Sequence, residues 1–132
     1  MRGVVFVVDD HAQTRRALWT LLRDLGYEVV TAATSEEALQ YIYSEEACDV
    51  ILADIVMPGM WGNVLAQHAQ AARPGLPVIL LSGDRNAIAS ALEGGVFALE
   101  KPVSSTRLAA VLDEALGPSS VDGKLASAAP PL

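Results

Sequence analysis

The sequence predicts an α/β fold in which a doubly wound parallel sheet has helices on both faces. Five short β-rich runs recur along the 132 residues, and segments with a helical spacing of apolar residues lie between them. The first, third and fourth runs are almost continuously apolar, which is typical of parallel strands that are covered on both faces. Because strand and helix alternate throughout, we expect right-handed crossover connections.

The strands and helices can be placed by their apolar patterns. The predicted strands span residues 4–8, 27–31, 50–53, 77–81 and 96–99. Thr34 and Glu37 form a capping box that predicts the start of the second helix. Apolar stripes with the period of a helix are Leu18, Leu21, Leu22 and Leu25 in the first helix, Val64, Leu65, His68 and Ala69 in the third, and Leu108, Val111, Leu112 and Leu116 in the last.

Composition and charge limit the classes to which the protein can belong. Hydrophobic residues make up 52% and charged residues 19%, which indicates a globular domain. The formal net charge of −7 argues against direct binding to nucleic acid. Membrane insertion is not expected, because apolar runs are shorter than about 18 residues, and the start of the chain lacks a signal-peptide pattern. We therefore expect a cytoplasmic protein with one domain over residues 1–117 and a flexible tail rich in Ala, Pro and Ser over residues 118–132.

Polar side chains follow four of the five predicted strands. Asp9 and Asp10 come after the first strand, Asp54 after the third, Ser82 after the fourth, and Lys101 shortly after the fifth. The carboxyl ends of parallel strands meet at one edge of the sheet, where open α/β folds bind ligands, so we expect these side chains to lie together. Taken singly, each has a structural alternative as a helix cap, a turn residue or a solvated side chain.

Three carboxylates at one edge require a compensating charge. Two carboxylates about 4 Å apart repel by about 4 kcal/mol at an effective dielectric constant of about 20. A hard divalent cation, Mg²⁺ (or Mn²⁺), supplies that charge and prefers oxygen ligands. A carboxylate is also a nucleophile toward phosphorus, and Lys101 and Ser82 are suited to stabilise phosphoryl oxygens. The pattern therefore predicts phosphorylation of Asp54.

Four motifs in a fixed order identify a family. They are Val-Val-Asp9-Asp10, Asp-Val-Ile-Leu-Ala-Asp54-Ile-Val-Met-Pro-Gly-Met, Leu-Leu-Ser82-Gly and Glu-Lys101-Pro102. Over residues 3–116 the chain resembles the receiver domain of two-component response regulators. The resemblance implies a flavodoxin-like (CheY-like) three-layer sandwich with a five-stranded sheet of order 2-1-3-4-5.

The resemblance also implies a site and its partners. Asp54 is the expected phosphoacceptor, and Mg²⁺ (or Mn²⁺) is expected on the side chains of Asp10 and Asp54, on the Val56 carbonyl and, through water, on Asp9. A cis peptide bond is implied before Pro102. The phosphoryl donor is expected to be a phosphohistidine of a sensor histidine kinase or a histidine phosphotransfer protein, and the phosphorylated domain is expected to bind a downstream protein. The domain would catalyse only its own phosphorylation and dephosphorylation.

One position departs from the family pattern in a way that affects the switch. Ala98 stands three residues before Lys101, where receivers usually carry Tyr or Phe. Phe97 should point to the opposite face of the sheet, because side chains alternate along a strand. We therefore expect output through backbone movement in residues 82–86 or through a changed fourth helix.

Three residues near the acceptor bear on access and hydrolysis. Val56 has no side chain that can orient a water molecule. Asp84 is acidic and would either repel an incoming anion or help to position water. Gly83 would keep the phosphoryl group of Asp54 accessible, or it serves the turn after the fourth strand.

Other polar and aromatic residues have both a functional and a structural interpretation. Arg15 would face a docking kinase or solvent, and Trp61 would anchor a partner or cover the third helix. Together with Asp84 and Ala98 they form a candidate partner surface.

Two histidines, a tryptophan and the cysteine are assigned mainly structural roles. His11 follows the acid pair, which suggests a metal or relay role, yet it also suits the first turn of a helix. Structural roles are expected for His68 and Trp19. The single cysteine, Cys48, excludes an intrachain disulfide and is expected to be a reduced, buried thiol.

The sequence leaves several functions open. The first is a stand-alone response regulator, because nothing after Leu116 is expected to form an output domain. The second is a phosphorelay intermediate, or a receiver module of a larger hybrid protein. The third is an Asp-nucleophile phosphohydrolase of the haloacid dehalogenase type, although such enzymes carry an Asp-x-Asp motif after the first strand and usually a cap domain. A dinucleotide-binding function is disfavoured, because no Gly-x-Gly-x-x-Gly follows the first strand.

Overall fold

Five strands and five helices alternate along the chain. The computed structural model describes residues 2–117, so the tail expected over residues 118–132 lies outside the described part. The strands are β1 (Val4–Val8), β2 (Glu28–Ala32), β3 (Val50–Asp54), β4 (Val78–Ser82) and β5 (Phe97–Glu100). The helices are α1 (Ala12–Asp24), α2 (Ser35–Ile42), α3 (Gly62–Ala72), α4 (Arg85–Glu93) and α5 (Ser105–Leu116).

All strand pairs are parallel, and the sheet order is β2-β1-β3-β4-β5. The predicted fold class and strand order are therefore confirmed. β3 and β4 lie inside the sheet and are buried along their whole length, as their apolar runs predicted. The order reverses between β1 and β3, so their carboxyl ends form the crevice in which such folds place a ligand.

The core has one layer on each face of the sheet. On one face, Val7 and Leu52 pack with Leu22 of α1 and Leu112 of α5. On the other face, the residues that pack together are Phe6, Val8, Ile51, Ala53 and Leu80 from the strands, with Ala38, Ile42, Leu65 and Ala69 from α2 and α3. α4 differs from its neighbours, because none of its nine residues, all of them described, is buried. With so little apolar area covered, α4 is the helix whose displacement costs least.

Capping explains where α2 begins and ends. The Thr34 side chain accepts a hydrogen bond from the Glu37 N–H at 3.1 Å, as the predicted capping box requires. The Glu37 carboxylate accepts its bond, at 2.8 Å, from the N–H of Ala33, the residue before the cap. At the other end, the guanidinium of Arg73, the C-cap residue of α3, donates hydrogen bonds to three main-chain carbonyls. These acceptors are Tyr41 at 3.2 Å, Ile42 at 3.0 Å and Ser44 at 2.9 Å.

Replacing Arg73 is expected to weaken the fold measurably. Arg73→Ala removes charge-assisted hydrogen bonds and leaves the carbonyls at the end of α2 without these partners, so the free energy of unfolding should fall by about 2 kcal/mol. Lys cannot reproduce the fork of donors, so Arg73→Lys should recover only part of the loss. Urea denaturation measures both values. The exposed Arg107→Ala is the control, and an equally small effect at both positions would contradict the assignment.

Two residues that were expected to have structural roles are exposed. His68 was expected on the buried stripe of α3, but it is exposed, and its Nδ1 lies 3.3 Å from the Tyr43 hydroxyl. The buried positions of α3 are instead Gly62, Leu65, Ala66 and Ala69, which leaves residues 64 and 68 at the edge of the stripe. Trp19 is 44% exposed, with the Arg23 guanidinium 5.1 Å above its ring.

Cys48 was expected to be buried, and membrane insertion was not expected. Cys48 is a free thiol that is partly buried, and burial raises its pKa to about 11, so it is protonated at neutral pH. Within residues 2–117, no helix combines the length and apolar character that crossing a membrane requires.

Candidate functional site

The carboxyl ends of β1, β3, β4 and β5 bring the predicted polar residues to one edge of the sheet. Asp9 and Asp10 follow β1 directly, Asp54 is the last residue of β3, and Ser82 is the last residue of β4. The Lys101 N–H donates to the Ser82 carbonyl at 2.8 Å, which extends the pairing of β4 and β5 by one step. Ser82 and Lys101 are therefore joined by a main-chain hydrogen bond.

Lys101 is the cation at the centre of the cluster. Its Nζ lies 3.0 Å from Asp9 Oδ2 and 3.3 Å from Asp54 Oδ2. Asp9 is fully buried and Asp54 is 6% exposed, so both carboxylates have lost much of their hydration. An ammonium shared between two buried carboxylates offsets part of that cost. The peptide bond that follows, between Lys101 and Pro102, is cis.

The acids and one histidine form a compact donor set. Ligand atoms of Asp9, Asp10, His11 and Asp54 all lie within 4.8 Å of one another. Three carboxylates are the donors that Mg²⁺ and Mn²⁺ prefer, and Lys101 alone cannot neutralise three negative charges. The donor set of the chain therefore fits the divalent cation that the sequence predicted.

The charges in the cluster shift two pKa values. Burial raises the pKa of Asp54, and the nearby Asp9 acts in the same direction, while Lys101 and a hydrogen bond from the Val56 main chain oppose the shift. Burial acts to lower the pKa of Lys101, but the hydrogen bond and attraction of Asp9, with those of Asp54, outweigh it, so the net pKa is raised. Lys101 is therefore a full positive charge at neutral pH.

The loop after β4 links the cluster to α4. Ser82 is buried, and its Oγ accepts a hydrogen bond from the Asp84 N–H at 3.0 Å. Asp84 is the N-cap of α4, and its carboxylate accepts from the Asn86 N–H at 2.9 Å. Gly83 between them is exposed, and a Cβ there would meet open space. A movement of the Ser82 hydroxyl would therefore act directly on the start of α4.

β5, which lies next to this loop, carries alanine and not an aromatic residue at position 98. Ala98 pairs in register with Leu80, and Phe97 packs with the layer of α1 and α5 on the opposite face, as predicted. At the end of β5, the Arg85 Nε of α4 lies 3.1 Å from a carboxylate oxygen of Glu100. This contact between α4 and β5 is polar and exposed.

The candidate partner surface is divided between two sides of the site. Arg15 on α1 donates to the Asp9 carbonyl at 2.7 Å, so its guanidinium is held against the β1–α1 loop. Arg15 borders a pocket of about 260 Å³ between α1 and Thr31, and a separate open pocket of about 430 Å³ lies between α1 and the segment 101–103. Trp61 is 57% exposed at the start of α3 and borders a groove of about 360 Å³ between α3 and α4. Val56 is also 57% exposed, in the loop after Asp54.

A glycine that the sequence interpretation missed lies against the end of β3. The Gly62 N–H donates to the Ile55 carbonyl at 2.7 Å. A Cβ on Gly62 would lie 2.2 Å from the Asp54 carbonyl oxygen, which is far inside van der Waals contact. Glycine at the first position of a helix is unfavourable by propensity, and that mismatch was the available signal of a close backbone approach.

Comparisons with known proteins agree with the geometry. A model of the response regulator receiver domain family matches residues 5–113. The chain is 36% identical over 118 residues to the DNA-binding transcriptional regulator NtrC of Escherichia coli strain K12, a match covering 87% of this chain and 25% of NtrC. It is 38% identical over 106 residues to the sensor histidine kinase RcsC of Salmonella typhimurium strain LT2, covering 76% of this chain and 11% of the kinase.

A solved structure shows the same architecture. A response regulator receiver domain protein from Clostridium thermocellum superposes with a TM-score of 0.80 at 27% identity, covering 90% of this chain and 98% of that chain. The chain thus matches that domain over almost its full length, whereas it spans only about a quarter of the length of NtrC.

Proposed function

The chain belongs to the response regulator receiver domain family of two-component signalling, and from this premise we propose that Asp54 accepts a phosphoryl group and thereby switches partner binding. The observation that carries the proposal is the placement of Asp54. Its carboxylate ends β3 at the sheet edge, 3.3 Å from the Lys101 ammonium and beside the second acid, Asp9.

The transfer forms one bond and breaks one. A carboxylate oxygen of Asp54 attacks phosphorus, and the phosphorus–nitrogen bond of a phosphohistidine breaks, with its electron pair returning to the imidazole. Lys101 lies where it would stabilise the negative oxygens of the transferred group. The side chains of Asp10 and Asp54, the Val56 carbonyl and, through water, Asp9 would hold Mg²⁺ (or Mn²⁺). The ion, when bound, neutralises charge on the phosphoryl oxygens.

The switch would begin at Ser82. A phosphoryl group adds about 1.5 to 2 negative charges, which attract the Ser82 hydroxyl and Lys101. If the hydroxyl turns toward the phosphoryl group, the Asp84 N–H loses its acceptor and the N-terminus of α4 is released. This route needs no aromatic residue at position 98, and the sparse packing of α4 supports it.

Chemical shifts test this route. On binding of a phosphoryl mimic at Asp54, we expect the amide signals of residues 82–86 and of α4 to move, while those of α1 outside the β1–α1 loop stay nearly constant. Equal spectra of residues 82–86 with and without the mimic would contradict the route through Ser82.

The whole protein's role remains a separate proposal. The match to part of the sensor kinase RcsC supports a phosphorelay intermediate or a receiver module of a hybrid protein as a second candidate. A relay intermediate would return its phosphoryl group to a histidine phosphotransfer protein, whereas a terminal response regulator would lose it mainly to water. Arg15 and the pocket beside α1 would receive the donor protein, and Trp61, Asp84 and Ala98 would contribute to the surface for a downstream target.

A small phosphodonor tests the acceptor chemistry directly. With acetyl phosphate and Mg²⁺, intact-mass measurement is expected to show a gain of one phosphoryl group, and peptide mapping should place it on Asp54. Chelation with EDTA should abolish the gain, because the carboxylates then lack the cation that offsets their repulsion. Labelling of another residue, or labelling that persists after chelation, would overturn the proposal.

A further inference from the structure

We propose that His11 is an additional ligand of the divalent cation at this site and that it shifts the metal preference from Mg²⁺ toward transition metals. This inference rests on the proposed function, since it concerns the same cation. The observation is that His11 Nδ1 lies 3.2 Å from Asp9 Oδ1 and 3.2 Å from Asp10 Oδ1. The ring nitrogen thus belongs to the donor set together with the three carboxylates.

The main chain holds the ring in this place. His11 is the N-cap of α1, and its N–H donates to Asp9 Oδ1 at 2.8 Å. In the described chain its side chain makes no capping hydrogen bond to α1, so the imidazole is not used by the helix. The side chain is 66% exposed, which leaves the nitrogen open to an ion arriving from solvent.

The distances suit ligation of a single ion. Two neighbouring donor atoms on one octahedral ion, each bound at about 2.1 Å, are about 3.0 Å apart. Of the two observed separations of 3.2 Å, the one to Asp10, which is expected to bind the ion directly, is the relevant one and is close to this value. The same separations also suit a ring N–H that donates to either carboxylate, so a role as hydrogen-bond donor is the competing explanation.

Ligand chemistry separates the two explanations. Mg²⁺ prefers oxygen donors and gains little from an imidazole, whereas imidazole suits Ni²⁺, and affinities of nitrogen-containing sites rise from Mn²⁺ to Ni²⁺. A ligand role therefore predicts a loss that depends on the metal when His11 is removed. A donor role predicts the same change for every metal, because only the carboxylates would then bind the ion.

Calorimetric titrations of the full chain at one pH with Mg²⁺, Mn²⁺ and Ni²⁺ test the proposal. His11→Ala is expected to lower the affinity for Ni²⁺ by about tenfold or more and the affinity for Mg²⁺ by less than about threefold. His68→Ala is the matched control, because His68 is the only other histidine of the chain and lies on α3. Pulsed electron paramagnetic resonance of bound Mn²⁺ should show coupling to an imidazole nitrogen in the wild type and lose it in His11→Ala.

Each outcome decides between the explanations. Equal changes for Mg²⁺ and Ni²⁺, no change for Ni²⁺, or a missing nitrogen coupling would overturn the ligand role. A rise in Mg²⁺ affinity in His11→Ala would show that the ring instead donates a hydrogen bond to the carboxylates and competes with the ion for them. If the wild type shows Mg²⁺-dependent labelling of Asp54 but its metal affinities do not change in His11→Ala, only this inference fails. If it shows neither Mg²⁺ binding nor labelling, the proposed function fails as well.

Discussion

Asp54→Asn is expected to abolish phosphoryl uptake and, at neutral pH without metal, to make the fold more stable. An amide lacks the nucleophilic carboxylate oxygen, so acetyl phosphate should leave no label. The gain in stability follows from the raised pKa of Asp54, because a group that binds its proton more tightly when folded is costly to ionise in the folded state. We expect a gain on the order of 1 kcal/mol, which is the scale of charge interactions at a partly buried site.

The pH dependence of this gain has a definite sign. Wild-type Asp54 contributes its penalty when ionised, so the advantage of Asp54→Asn should be full at neutral pH. It should shrink as the pH falls through the raised pKa of Asp54 toward the ordinary value of 3.8. Urea denaturation in EDTA at several pH values measures the difference.

A second acid of the same region serves as the control. Asp84→Asn should leave stability nearly unchanged, since Asn caps a helix about as well as Asp and Asp84 is exposed. A wild type more stable than Asp54→Asn at neutral pH would show that the attraction to Lys101 outweighs burial and the repulsion of Asp9.

Gly62→Ala is expected to cause the largest loss of stability of any single methyl addition to a described glycine. Helix propensity alone favours Ala over Gly by about 1 kcal/mol. The added Cβ would lie 2.2 Å from the Asp54 carbonyl oxygen and 2.9 Å from the Asp54 carbonyl carbon, so backbone must move. Overpacking of this kind costs about 3 kcal/mol, which exceeds the gain in propensity. Because the displaced residue is the proposed phosphoacceptor, the rate of labelling by acetyl phosphate should also fall by at least about tenfold.

Gly83→Ala is the matched control for this clash. A Cβ at Gly83 meets open space, so its free energy of unfolding should stay within about 0.5 kcal/mol of the wild type. Thermal or urea unfolding of both variants gives the comparison. Equal stabilities of Gly62→Ala and Gly83→Ala would contradict the close approach of α3 to β3.

Strand positions were predicted to within one residue, and the errors at the carboxyl ends of β3, β4 and β5 share one cause. Runs ending at Ala53, Leu81 and Leu99 were each closed at the last apolar residue, whereas β3, β4 and β5 extend to Asp54, Ser82 and Glu100. The ladder of hydrogen bonds continues through these polar residues because main-chain pairing does not depend on the side chain. Asp54 and Ser82 are therefore ends of strands and share the rigidity of the sheet, whereas Asp9, Asp10 and Lys101 lie just beyond strand ends.

Helix faces were less predictable than strands. The sequence predicted a stripe of residues 64, 65, 68 and 69 on α3, whereas its buried face holds residues 62, 65, 66 and 69. Leu65 and Ala69 are common to the sequence stripe and the buried face, so the pattern could not decide between the two rotations. The close approach of Gly62 to β3 decides it, and that contact joins parts of the chain that the pattern does not relate.

The sequence by itself determined the α/β class, the place of each strand and the edge at which the acids, Ser82 and Lys101 gather. It did so because these features depend on local periodicity and on which residue follows each strand. Only the tertiary structure decided that Lys101 is shared by Asp9 and Asp54, that Gly62 touches the acceptor strand, and that the His11 ring turns toward two carboxylates. The Lys101 contact with Asp9 joins residues 92 apart, so its distance is set by the packing of the sheet and its helices. The Gly62 and His11 contacts are local, but they depend on the backbone path of the loops, which periodicity does not specify.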